Sequence, residues 1–231
     1  MSADLIAAYF GARGQGKSTQ AKAFLAARAP ARALIWDTMD EYAEHAELAA
    51  SLAELHERAR SGEGFRLRYV PPGAEGSLAA RFDAFCAIAY TLGDLVLVVE
   101  ELQRVTRPSW APPAWSDCTL RGRHRRLSIL GLSQRPASVD KNFFSNCNQV
   151  SSCRLNFADD IACMANVLGV AREAIGALPR FHFLTRNMET GEVSPGVTAE
   201  LGRPPPAPRP ARTRRRKKTS RRSPPLMSTR S

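Results

Sequence analysis

The chain has 231 residues with 33 Lys+Arg against 22 Asp+Glu, a formal net charge of +11. That length suits one domain, and 44% apolar residues are enough to build its core. Eleven of the basic residues and none of the acidic ones fall in 203–231, so residues 1–202 are neutral and a strongly basic globular fold is excluded.

No apolar run nears the roughly 20 residues of a membrane-spanning helix. No basic segment precedes an apolar one, as it would in a secretory leader. Five cysteines, an odd number with no CxxC pair, read as reduced intracellular thiols rather than a metal knuckle.

In chain order, Leu5–Phe10 is a short apolar run stopped by Gly11, the pattern of a buried strand. Residues 18–29 are Ala-rich with Lys and Leu and are stopped by Pro30, which predicts a helix. Residues 33–37 predict a second strand, 43–60 a helix on apolar spacing near 3.6, Phe65–Val70 a strand, and 77–91 a helix. Leu95–Val99 is β-branched with no polar face, as in a parallel strand covered on both sides. Residues 127–132 and 149–155 predict two more strands. Residues 181–186 and 193–198, on either side of Glu189-Thr190-Gly191, predict a closing hairpin. Strand and helix alternate, so the class is α/β with a mostly parallel central sheet flanked by helices. The domain is expected to span 1–202. Residues 203–231, with seven prolines among the basic residues, are expected to be an extended, disordered tail.

Gly11-Ala12-Arg13-Gly14-Gln15-Gly16-Lys17-Ser18 matches GxxxxGK[ST] between a strand and a helix, the context this phosphate-binding loop requires. Its glycines let several N–H groups converge on one anion, and the helix start adds its positive dipole end next to Thr19. The loop is expected to hold ATP, with Lys17 reaching the β- and γ-phosphates and Ser18 binding Mg²⁺.

Leu95–Val99 runs directly into Glu100 and Glu101, two acids at the carboxyl edge where ligands bind in such sheets. Glu100 is expected at the metal and Glu101 at the attacking water. Asp94 lies at the wrong end of the strand to contribute. The next strand ends in Ser133-Gln134, and Gln134 is expected to contact the γ-phosphate or the water.

These residues resemble the FtsK–HerA superfamily of P-loop ATPases. The likeness is carried by Gly11–Ser18, Ile35-Trp36-Asp37 with Glu41-Tyr42, Val98–Glu101, Arg121–Arg126, and Ser133–Asp140 through Asn146 to Arg154. It covers about residues 3–180. Its small size is similar to that of the genome-packaging ATPases of tailless phages, which are related to zonula occludens toxin-like phage assembly ATPases. The resemblance implies a RecA-like fold and a homo-oligomeric ring, commonly a hexamer, with ATP at subunit interfaces. It also implies an arginine donated from a neighbouring subunit, for which Arg123 stands in place and Arg121, Arg125 and Arg126 compete. The implied partner is double-stranded DNA, with a capsid or portal protein as a further one. The implied location is the host cytoplasm or the virion.

Between Arg104 and Lys141 eight basic residues face two acids, Asp117 and Asp140, a local positive excess suited to phosphates. Trp110 and Trp115, in a Pro-rich loop, are expected to pack or to form an interface, with stacking on bases as the alternative. The tail reads as a phosphate binder, as a docking segment for an acidic protein surface, or as solvated chain. Rival readings of the whole are an assembly or extrusion ATPase held at a membrane by a partner, a small-molecule kinase using the same loop, and a DNA-binding protein without hydrolysis.

Overall fold

A computed structural model describes residues 5–72 and 78–201, so the basic stretch 203–231 lies outside the described residues. Among the described residues, nine strands form one sheet in the order β3-β4-β2-β5-β6-β1-β7-β8-β9. They are β1 (Ile6–Phe10), β2 (Arg32–Trp36), β3 (Glu47–Leu48), β4 (Phe65–Tyr69), β5 (Leu95–Val99), β6 (Leu127–Ser133), β7 (Gln149–Cys153), β8 (His182–Asn187) and β9 (Val193–Val197). All pairings from β3 through to β7 are parallel. β8 pairs antiparallel with β7 and with β9, the latter as the predicted hairpin.

Alternation along each central strand feeds two cores. Ala8, Phe10, Leu34, Trp36, Leu97 and Val99 face one side, where they meet α3 (Leu78–Leu92), α4 (Pro113–Arg121), α5 (Lys141–Asn146) and α6 (Ala158–Leu168). Ala7, Tyr9, Ala33, Ile35, Val96 and Val98 face the other side, where α1 (Lys17–Arg28) contributes Ala21 and Leu25. Burial on both faces is the reason these strands are continuously apolar. The larger core is organised by aromatic rings: Trp36 lies 5.2 Å from Phe82 and 5.4 Å from Phe85, and Trp115 lies 5.4 Å from Phe143. Trp115 is therefore a packing residue, its indole N–H donating to Asp140, whereas Trp110 stands 48% exposed.

One predicted element is corrected. The helix expected over 43–60 begins only at α2 (Leu52–Ser61), and Glu47–Leu48 joins the sheet edge beside β4. The backbone N–H groups of Glu41 and Tyr42 donate to the Asp37 carboxylate instead of opening a helix. Ser51 then caps α2 by accepting from the Glu54 N–H at 3.1 Å. A short α7 (Arg172–Gly176) precedes the final hairpin.

Candidate nucleotide site

The chain leaves β1 at Phe10, turns through Gly11–Gly16 and enters α1 at Lys17. Gly14 and Gly16 have φ of +71° and +104°, which side chains rarely adopt. A Cβ on Gly16 would also stand 2.7 Å from the Thr198 methyl. The loop is anchored from below: the Gly11 N–H donates to the Ser133 carbonyl, and the Ala12 N–H to the Arg154 carbonyl at 3.0 Å. The first-turn amides of α1, which lack intrahelical partners, open into the cleft with Arg13, Gly14, Gly16, Lys17, Ser18 and Thr19 on its wall. Gln15, within the loop, is buried and does not line the cleft.

β6 lies between β1 and β5, with Phe10 in register with Ser133 and Val99 with Gly131. This places Gln134 between the loop and the two acids. Glu101 has φ +54°, a left-handed conformation uncommon outside glycine. The turn sends the adjacent carboxylates to different partners. Glu100, 2% exposed, accepts from the Ser18 hydroxyl at 2.8 Å and from the Tyr42 hydroxyl at 2.9 Å. Glu101, 7% exposed, accepts from the Gln134 amide at 2.7 Å and from the Gln103 amide, and its Oε1 lies 3.9 Å from the Lys17 ammonium. Gln103 in turn accepts from the Ser133 hydroxyl at 2.5 Å.

Burial pushes the Glu100 carboxyl above the usual carboxylate range, and the Ser18 and Tyr42 hydrogen bonds pull it partly back. The Tyr42 phenol is pushed well up by burial and by the carboxylates around it. Asp37, fully buried, fixes Tyr42 through its backbone and is itself paired with Arg68 at 3.2 Å.

Four residues of this arrangement had no role assigned from the sequence. Tyr42 carried the resemblance only as part of a motif. Gln103 was signalled only by standing two residues beyond Glu101. Arg180 and Phe181 line the cleft, stack on each other at 4.6 Å, and reach the loop through a 3.5 Å bond from Arg180 to the Gly14 carbonyl. Nothing local in the sequence marks that pair, because it is the return of β8 beside β7 that brings it to the loop.

Arg123 is not brought to this cleft. It precedes β6, at the amino end of a strand whose carboxyl end bears Gln134, so roughly 20 Å of seven-residue strand separates them. Of the four arginines there, Arg121 pairs with Asp117, Arg126 with Asp94, and Arg125 donates to the carbonyls of Tyr90 and Thr91. Arg123 is exposed and has no side-chain partner among the described residues.

Two hard oxygen donors 2.8 Å apart, Ser18 and Glu100, suit Mg²⁺, which takes one or two protein ligands beside substrate phosphates. Among the described residues no group of three His, Cys, Asp or Glu forms an all-protein metal cage.

No family model matches the chain. It is 28% identical over 178 residues to protein P9 of Pseudoalteromonas phage PM2, covering 73% of this chain and 77% of that protein. Its structure is similar to that of the genome-packaging NTPase B204 of Sulfolobus turreted icosahedral virus 2 in complex with AMPPCP. The TM-score is 0.68 at 16% identity, over 84% of this chain and 98% of that one. It is also similar to VirB4 of Thermoanaerobacter pseudethanolicus, with a TM-score of 0.57 at 11% identity over 78% and 86% of the two chains. With its own glycine loop, paired acids and intervening Gln134 strand, the chain is a P-loop protein with the fold of the FtsK–HerA-type ATPases.

Proposed function

We propose that this chain hydrolyses ATP to move double-stranded DNA, packaging a viral genome into a capsid. The observation that carries the reading is the division of labour between adjacent acids. Glu100 is bonded to Ser18, and Glu101 is bonded to Gln134 and Gln103 beside Lys17. The cleft measures about 240 Å³, below the roughly 300–1,000 Å³ of pockets that enclose a drug-sized ligand. It therefore suits the phosphates and leaves the nucleoside toward the rim, where Arg180 and Phe181 stand.

The loop amides and Lys17 bind the triphosphate. Ser18 and Glu100 are the residues that would hold Mg²⁺, which would neutralise charge on the phosphate oxygens. Glu101 orients and deprotonates the attacking water, and Gln134 positions it against the γ-phosphate. Arg123 stands at the opposite sheet edge, so it serves the site of a neighbouring copy, which is the argument for a ring, with a hexamer favoured. A guanidinium so placed is worth about 10³-fold or more in rate. The basic stretch 203–231 binds DNA phosphates or an acidic portal surface. Packaging places the protein in the host cytoplasm or on the virion. Among the described residues no helix is long and apolar enough to cross a membrane.

The test is phosphate release with and without duplex DNA at two salt concentrations. Hydrolysis that DNA stimulates, without any phosphoryl acceptor, is expected. A requirement for a small-molecule acceptor would make the protein a kinase, and indifference to DNA would remove the motor.

A further inference from the structure

Directly after Glu101 the chain makes one 3-10 turn, Leu102–Arg104, and then a tight hairpin. The N–H groups of Arg107 and Trp110 each donate to the other's carbonyl, at 2.8 and 3.0 Å. The hairpin is braced at both ends. The Thr106 hydroxyl donates to the Leu102 carbonyl at 3.0 Å, and the Lys141 N–H at the start of α5 donates to the Pro108 carbonyl at 3.3 Å. Trp110 stands as an exposed ridge between two clefts. One, of about 610 Å³, is lined by Gln103, Arg104, Arg107 and Ser109. The other, of about 370 Å³, is lined by Ser109, Lys141 and Asn142.

Arg104, Arg107 and Lys141 are exposed, and among the described residues none has a carboxylate or hydrogen-bond partner for its side chain. The first cleft has no acid among its described lining. The second has Asp140, which is 3% exposed and committed to the Trp115 indole and the Phe143 N–H. Among the described residues, the side chains of these cations on either side of the aromatic ridge take part in no ion pair or hydrogen bond of the fold. Their positive charge suits the phosphates of a nucleic-acid backbone, which are held without reading bases.

We propose that the Arg104–Trp110 hairpin with Lys141 is a contact surface for the phosphate backbone of duplex DNA. The proposal rests on the reading of the chain as a DNA-moving ATPase and adds where the DNA is held. The surface begins one residue beyond Gln103, the side chain that holds Glu101, so DNA contact and the hydrolysis site share a single turn of backbone.

The experiment uses the full chain and a short, labelled, mixed-sequence duplex, with affinity measured by anisotropy for the wild type, R104A/R107A and R104K/R107K. Each phosphate contact contributes a log–log salt slope of about 0.9, so losing two flattens the fall in affinity between about 50 and 200 mM salt by about 12-fold. Any contribution of residues 203–231 is common to all three proteins and cancels in that difference. The expected result is the flattened slope in R104A/R107A, a retained slope in R104K/R107K, and unchanged DNA-free hydrolysis in both. A wild-type protein that binds duplex DNA, with an identical slope in R104A/R107A, overturns this surface and leaves the motor reading standing. A wild-type protein that does not bind duplex DNA at low salt overturns the motor reading itself.

Discussion

Replacing Glu101 by Gln keeps the shape of the side chain and removes its charge and its ability to take a proton. In the structure Oε1 accepts from Gln134 at 2.7 Å and Oε2 accepts from Gln103, so both oxygens face amide donors. The new amide nitrogen must face one of these donors and forfeits that hydrogen bond, a stability cost of about 1 kcal/mol. Against a total of about 5–15 kcal/mol the protein remains folded. The chemical cost is larger. Loss of a positioned general base costs about 10²–10⁴ in rate, or roughly 2.7–5.4 kcal/mol at 1.36 kcal/mol per tenfold. ATP binding should persist or tighten, because Lys17 loses the carboxylate 3.9 Å away that competes for its charge. Phosphate release and titration with a fluorescent ATP analogue, run on the same preparation, separate the two effects. Turnover within about threefold of wild type would refute the role given to Glu101, since it corresponds to under about 1 kcal/mol of barrier.

Two further outcomes follow from the geometry. Tyr42→Phe removes a hydrogen bond that favours the ionised form of Glu100, so the already raised Glu100 pKa should rise further. Mg²⁺ needs the carboxylate, so binding of Mg·ATP should weaken on acidification at a pH above the ordinary value near 4.3, and at a higher pH still in Tyr42→Phe. The stability effect has the opposite sign. A carboxyl whose folded-state pKa is raised opposes folding once ionised, so its cost grows as pH rises through that window. Identical acid limbs in the two proteins would remove Tyr42 as a positioning residue. Gly131→Ala should destabilise by about 1–3 kcal/mol in urea titrations, because the new methyl group would stand 2.7 Å from the Leu102 side chain and against the Phe143 ring in a filled core. An unchanged urea midpoint would show that β6 has room to shift.

The parts legible from the sequence were those whose cause is local. Gly14 and Gly16 are needed where they stand because the backbone there adopts positive φ, and the loop was readable for that reason. Leu95–Val99 was read as a two-sided buried strand because it lacks any polar face, and the structure gives the same bounds. Gln134 was readable as a strand-ending polar group, although its place between the loop and Glu101 depends on β6 entering the sheet between β1 and β5. The misread helix over 43–60 has the converse explanation. Its Ala, Leu and Glu spacing is helical, but the buried Asp37 claims two backbone N–H groups, and pairing with β4 claims Glu47 and Leu48.

The sequence by itself determined the glycine loop between β1 and α1, the acid pair, the alternating α/β plan and the concentration of net charge in 203–231, because each is written in neighbouring residues. Only the tertiary structure decided which groups share the cleft. Tyr42 reaches Glu100 across 58 positions, Gln134 reaches Glu101 across 33, and Arg180 reaches Gly14 across 166. It also set Arg123 apart at the far edge of the sheet. Parallel strands put consecutive chain segments at opposite ends of the sheet, so proximity in the site follows strand order rather than sequence order.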